Sequence, residues 1–169
     1  MIMKKIIVFL FVITVIFISS SEENIIIPRD SLRFRIIANS NSYQDQLLKM
    51  EIRTELLPIL SDISNNSSTI EEARKNVKNN INNIQNRISK YSSNFNVNFG
   101  QNYFPHKKYN NVIYNAGNYE SLVITLGEGI GDNWWCVLFP PLCLLEAEIS
   151  NLDSITYDSY LKKIINKYL

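Results

Sequence analysis

Apolar and polar residues alternate from Leu32 to Ala38, where Leu32, Phe34 and Ile36 interleave with Arg33 and Arg35. A period of two predicts a half-exposed strand. The turn-forming run Asn39-Ser40-Asn41-Ser42 ends it, and Ser42 with Asp45 has the spacing of a capping box, Asp standing in for Glu. The period then lengthens. Leu48, Ile52, Leu56, Ile59 and Ile63 fall on one helical stripe, and Pro58 is expected to bend that helix near its end. After the polar connector 64–68, Thr69 and Glu72 form a second capping pair. Ile70, Ala73, Val77, Ile81, Ile84, Ile88 and Tyr91 succeed them at helical spacing, against a face of Asn, Lys and Arg. Such a stripe reads as a core-facing helix before it reads as a docking helix.

From Asn94 the period returns to two. Phe95, Val97 and Phe99 alternate with asparagines in a strand expected to end at Gly100, and Val112–Tyr114 and Ser121–Leu126 are further strand candidates. Ala116-Gly117-Asn118 is read as a hairpin turn between those last two. Asp158–Leu169 closes the chain as an amphipathic helix bearing Leu161, Ile164, Ile165 and Tyr168. These elements predict a single α+β domain, a mostly antiparallel sheet packed with two long helices and a C-terminal helix.

One stretch fits neither period. Gly127 to Cys143 holds both tryptophans, both cysteines and much of the chain's glycine and proline. Glycine permits backbone angles that other residues resist and Pro140-Pro141 stiffens the end of the stretch, so a shaped aromatic loop is expected. Its apolar residues are either tucked into the core or offered to a partner. One tryptophan in and one out is the best single expectation.

The ends and the charge narrow the setting. Lys4 and Lys5 precede an apolar run from Ile6 to Ile18 and then Ser19-Ser20-Ser21, the layout of a signal peptide over 1–21. A spanning helix needs about twenty apolar residues, so a retained N-terminal anchor is the alternative. Residues 22–31, with Pro28, read as a linker, leaving 32–169 as the domain. Losing Lys4 and Lys5 turns the formal charge from +1 into −1. A near-neutral domain without a polybasic segment has no footprint for nucleic acid, and membrane contact is expected only through the N-terminal segment. Export permits a disulfide between Cys136 and Cys143, which in the chain-entropy model stabilises by about 2–3 kcal/mol. Two buried thiols are the other reading. Their spacing is not Cys-x-x-Cys, and zinc lacks ligands beyond His106.

Catalytic chemistry finds few candidates. A hydrolytic nucleophile needs a base, and the one histidine, His106, comes after Pro105 in a polar stretch that reads as a solvated loop. Glu128 and Asp132 in the glycine loop could act as acid and base of a secreted cell-wall hydrolase, or simply make turn hydrogen bonds. Gly127-x-Gly129-x-Gly131 is no phosphate loop, because Trp-Trp-Cys-Val-Leu-Phe-Pro-Pro does not continue as a helix. No catalytic residue, metal ligand or cofactor-binding residue is assigned.

Three blocks carry a family resemblance: Leu32–Ser42 with Asp45, Gln46, Lys49 and Arg53; Ala116–Leu122; and the glycine-rich turn running into Asn133-Trp134-Trp135-Cys136-Val137-Leu138-Phe139-Pro140-Pro141-Leu142-Cys143. Together they resemble the stage II sporulation protein R family. The resemblance implies a signalling protein secreted from the forespore into the intermembrane space. There it would activate a membrane-embedded aspartic protease of the mother cell that processes a sporulation sigma-factor precursor. It further implies a ligand, not an enzyme. The expected partner surface joins the Asn39–Ser42 turn to the loop, through Asn39, Ser40, Gly127, Glu128, Gly129, Asn133, Trp134, Trp135, Phe139, Pro140 and Pro141.

Overall fold

A computed structural model describes residues 25–109, 112–142 and 166–167 of the chain. The elements in order are β1 (Ile25–Ile26), β2 (Leu32–Ile37), α1 (Tyr43–Asn65), α2 (Ile70–Ile88), β3 (Phe95–Phe104), β4 (Lys107–Tyr109), β5 (Val112–Tyr114), β6 (Gly117–Leu126) and β7 (Asn133–Phe139). They build an α+β fold. The main sheet has the order β3-β6-β2-β7, and a small sheet has the order β1-β5-β4.

The main sheet is mixed: mostly antiparallel as expected, but with one parallel pairing at its centre. β3–β6 and β2–β7 are antiparallel, but the central pair β2–β6 is parallel, with Arg33 opposite Ser121 and Ile37 opposite Thr125. Both helices and β3 intervene before β6 returns to lie beside β2. The expected hairpin at Ala116–Asn118 does not form. Gly117 pairs with Phe104 at the end of a long β3–β6 ladder, and β4 and β5 form a short excursion between those strands. β3 therefore continues through Gly100 to Phe104.

Helix α1 starts where Ser42 caps it, its hydroxyl accepting the Asp45 N–H at 3.2 Å. The capping box is only half made. The Asp45 carboxylate takes the Ser40 hydroxyl and the Asn39 amide instead of returning to the cap. The helix runs through Pro58 to Asn65. Thr69 caps α2 by accepting the Glu72 N–H at 3.2 Å, and the Glu72 carboxylate takes the N–H of Ser68 at 2.7 Å.

Both helices lie on one face of the sheet, as the periodic stripes require. Phe34, Ile36, Leu122, Ile124 and Leu138 meet Ile52, Leu56, Ile63, Val77, Ile84 and Ile88 in one core. Each such side chain contributes about 1.5–3 kcal/mol through burial. Arg74 fixes α2 to β6 by a forked pair with Glu120, Nε to Oε1 and Nη2 to Oε2 each at 2.7 Å, and Arg87 holds α1 through Glu55 at 2.9 Å.

The other face is covered as well, and here the sequence misled. Arg33 alternates with apolar residues as a solvent-facing side chain should, yet it is 1% exposed. Its guanidinium lies 3.3 Å from the Tyr119 ring centre, 5.3 Å from Phe104 and 5.7 Å from Tyr114 on the small sheet. Aromatic faces hold this cation in place of a carboxylate. Burial pushes its pKa down. From Ile25 onward the segment read as a linker also packs on the domain, since Ile25–Ile26 pairs with β5 and Ile27 is buried.

The expected signal segment 1–21 lies outside the described residues. So does the C-terminal helix 158–169, apart from Asn166 and Lys167, which are helical.

Candidate functional site at the carboxyl end of the central strands

β2 and β6 run parallel, so both deliver their chains to the same end of the sheet. β2 passes into the Asn39–Ser42 turn and α1, and β6 into the glycine loop. The two connections are bonded along their length. Asn39 Oδ1 accepts the Glu128 N–H at 2.9 Å, and the Asn39 carbonyl accepts the Ile130 N–H at 3.2 Å. The Ala38 carbonyl takes the Gly131 N–H at 3.0 Å, and Asn41 Oδ1 takes the Asp132 N–H at 2.6 Å. Gly127 adds a bond from its N–H to the Asn94 carbonyl at 2.9 Å.

Two glycines are dictated by this closeness. Gly127 has φ +55°, and a Cβ there would collide with the Asn39 side chain. At Gly131 a Cβ would strike the backbone carbonyl of Ser40. Any larger residue forces the loop off the turn.

The first two turns of α1 complete the network. Gln46 Nε2 donates to the Ser40 carbonyl at 2.9 Å. The Lys49 ammonium donates to Gln46 Oε1 at 2.5 Å and to the Asp132 carbonyl at 3.0 Å. Lys49 is buried, and desolvation lowers its pKa against the opposing pull of Asp132. The Asp45 carboxyl is held below its usual range by hydrogen bonds from Ser40 first and then Asn39. Gln46 and Lys49 were not expected at this site, whereas Asn41 belongs to the expected turn. The only advance signal for the first two is position, since a helix opening at Ser42 aims residues 45, 46 and 49 back at the turn before it.

The aromatic stretch is divided, which corrects the picture of one continuous loop from Gly127 to Cys143. Asn133–Phe139 is strand β7, paired with β2 from Asn133 opposite Ile37 to Phe139 opposite Leu32. At about 3.3 Å per residue, seven residues carry the Pro-Pro segment roughly 20 Å from the glycines. Gly127, Glu128, Gly129 and Asn133 therefore join Asn39 and Ser40, while Phe139, Pro140 and Pro141 sit at the opposite end. Phe139 and Pro140 are buried and the peptide between them is cis.

The tryptophans face opposite sides of the sheet. Trp134 is half-buried towards the helices, edge-on to Phe34 at 5.8 Å and beneath the Arg53 guanidinium at 4.5 Å. Trp135 is 6% exposed on the other side, edge-on to Phe104 at 5.0 Å and Tyr114 at 6.3 Å. Cys136 is buried in the helix-side core, and Cys143 lies outside the described residues. The exposed groups at the candidate site are Asn41, Ser42, Glu128, Ile130 and Asp132.

Glu128 and Asp132 are engaged through their backbone N–H groups, and both residues are exposed. His106 is exposed at the β3–β4 connection. Among the described residues no three His, Cys, Asp or Glu side chains gather as a metal site.

The structure thus defines a class: a layered α+β domain presenting a rigid, hydrogen-bonded double turn at one end of its sheet. Residues 28–149 match the family described as stage II sporulation protein R, and the chain belongs to that family of sporulation proteins. A relative of that description from Bacillus subtilis (strain 168) is 41% identical over 133 residues. The aligned part covers 75% of this chain and 59% of the relative, so the chain spans little more than half of that protein's length. No solved structure matches the chain.

Proposed function

We propose that this chain is an exported forespore signal that activates a membrane-embedded aspartic protease of the mother cell, which then processes a sporulation sigma-factor precursor. It acts as a ligand, not as a catalyst, from the space between the two membranes. Family membership supports the sporulation role. The observation that carries the ligand reading is the locked double turn, where Asn39 and Asn41 hold the glycine loop by its own N–H groups. Such a surface is ordered before a partner arrives, which lowers the entropy lost on binding. A disulfide from Cys136 to Cys143 belongs to the same proposal, as a staple for an exported chain.

A ligand activates only through its differential affinity for the active and resting receptor states. The exposed side chains around the double turn, Glu128 and Ile130 foremost, supply that difference. Trp135, Phe139 and Pro140 are buried and support the fold instead.

Co-expression in a non-sporulating host with the protease and the sigma-factor precursor tests this reading. Processing that requires the exported chain is the expected result. No processing, with every component folded and in place, overturns it.

A further inference from the structure

The two edges of the main sheet are unlike. β7 is buried from Trp135 to Phe139, whereas β3 has no buried residue from Phe95 to Tyr103 and pairs only with β6 among the described residues. Phe95, Val97 and Phe99 pack on the margin of the helix-side core and stay half-buried, while Asn96, Asn98 and Gln101 are exposed. An open strand edge is a row of unpaired N–H and C=O groups, and monomeric proteins blunt it with lysine, proline, a bulge or a short strand. β3 has none of these. It is ten residues long, carries no charged residue and no proline, and its ladder to β6 runs without a shift in register.

One bond tells which groups face outward. The Gly127 N–H donates to the Asn94 carbonyl at 2.9 Å, so along the ladder Asn94, Asn96, Asn98 and Gly100 are the residues that bond to β6. Phe95, Val97, Phe99 and Gln101 alternate with them and turn their N–H and C=O groups to the open side. Next in that series is Tyr103, whose carbonyl accepts the Arg35 guanidinium at 3.4 Å. The free edge therefore runs from Phe95 to Gln101.

We infer that β3 pairs antiparallel with β3 of a second copy of this chain, the two-fold axis passing beside Asn98. The strand is complementary to itself in that register. Val97 meets Phe99 on the helix side, a β-branched and aromatic pair of the kind that stabilises ladders, and Asn98 meets Asn98 on the other. All four outward residues find partners, in roughly eight main-chain hydrogen bonds, and Tyr103 is not needed. With no charged side chain on the strand, no like charges oppose each other. The two-fold closes on itself and leaves no β3 edge open. Of the chain outside the described residues, 1–24 leads into β1 of the small sheet and 143 onward follows β7 at the opposite edge. Segments close in sequence usually lie side by side, so both are better placed for other edges than for β3.

The inference stands independently of the signalling reading, and its test is the oligomeric state of the full exported chain. Sedimentation from roughly 1 to 100 μM should show reversible dimerisation. Asn98→Lys and Asn98→Asp each set like charges opposite one another across the axis. Each should weaken the dimer by roughly fivefold or more at unchanged Tm, and an equimolar mixture of the two should associate again. Hydrogen exchange reads the edge directly: the Phe95, Val97, Phe99 and Gln101 amides should gain protection as concentration rises. Should either substitution lower Tm, exchange in the parent decides. A parent that stays monomeric at every concentration overturns the pairing, as does a dimer that neither charge weakens. Protection of those four amides in the monomer also overturns it, and would assign the edge to a segment of the same chain.

Discussion

The two faces of the main sheet solve the same burial problem with different chemistry. The helix side is built from Phe34, Ile36, Leu122, Ile124 and Leu138 against two apolar helix stripes, with charges kept to the periphery. The small-sheet side buries Arg33 among Phe104, Tyr114 and Tyr119, sets Arg35 4.6 Å from the Phe104 ring, and packs Trp135 between. Arg33 Nη1 and Nη2 and Trp135 Nε1 are buried there without hydrogen-bond partners among the described residues. The contrast teaches that alternation of polar and apolar residues marks two faces but does not say that the polar one meets water. Desolvating a guanidinium costs several kcal/mol, and three aromatic contacts at about 0.5–2 kcal/mol each return a similar amount. The cation on this face is close to neutral for stability, whereas each apolar group on the other face is strongly stabilising.

Substitutions on the two faces can break that comparison. Phe34→Ala and Trp135→Ala should each destabilise by about 3–5 kcal/mol, read as a lowered midpoint in chemical denaturation. A Trp135→Ala protein that kept its stability would show that the small-sheet side is not a true core. At the end where both strands of the parallel pair emerge, Asn39→Ala should cost about 1–2 kcal/mol, because it removes the bonds to the exposed Glu128 N–H and to Asp45. Ser42→Ala should cost about 1 kcal/mol through the lost α1 cap. Arg33→Met, which keeps the length and removes the charge, should change stability by less than about 1 kcal/mol. A loss of several kcal/mol would mean that the aromatic cage outweighs desolvation.

Acid should act at the double turn. The folded-state pKa of Asp45 is depressed, so its contribution is present above its unfolded value near 3.9 and fades as pH falls through the lower folded value. Asp45→Asn should therefore flatten the stability profile below about pH 4, a change that pH-dependent denaturation would register.

Helices α1 and α2, strand β2, the start of β3 and the core of β6 were legible. The apolar residues of the helices, β2 and β3 recur at a helical or strand period, and β6 reads as an apolar run, although β2 and the core of β6 are buried on both faces. β7 was not legible. It is inserted between two apolar layers and buried on both faces along most of its length, so no alternation survives to distinguish it from an apolar loop. The pairing of Asn39–Ser42 with the glycine loop was foreseen, and the hydrogen bonds to Glu128 and Asp132 bring them together. Phe139, Pro140 and Pro141 were grouped with them because seventeen residues dense in tryptophan, proline and glycine read as one unit. A strand through the middle sends the two halves to opposite ends. The burial of Lys49 and Arg33 was not foreseen for a related reason. Their burial depends on partners distant in sequence, Asp132 for one and Tyr119 for the other.

The most direct test of the account is sigma-factor precursor processing driven by the exported Ile130→Asp protein beside the exported Pro141→Ala protein. Ile130 is 72% exposed on the double turn, and its backbone N–H, not its side chain, bonds to Asn39. Processing should fall by roughly tenfold or more for Ile130→Asp at unchanged Tm and stay near the parent level for Pro141→Ala. Full processing by Ile130→Asp together with loss by Pro141→Ala would contradict the account and move the signalling surface to the opposite end of β7.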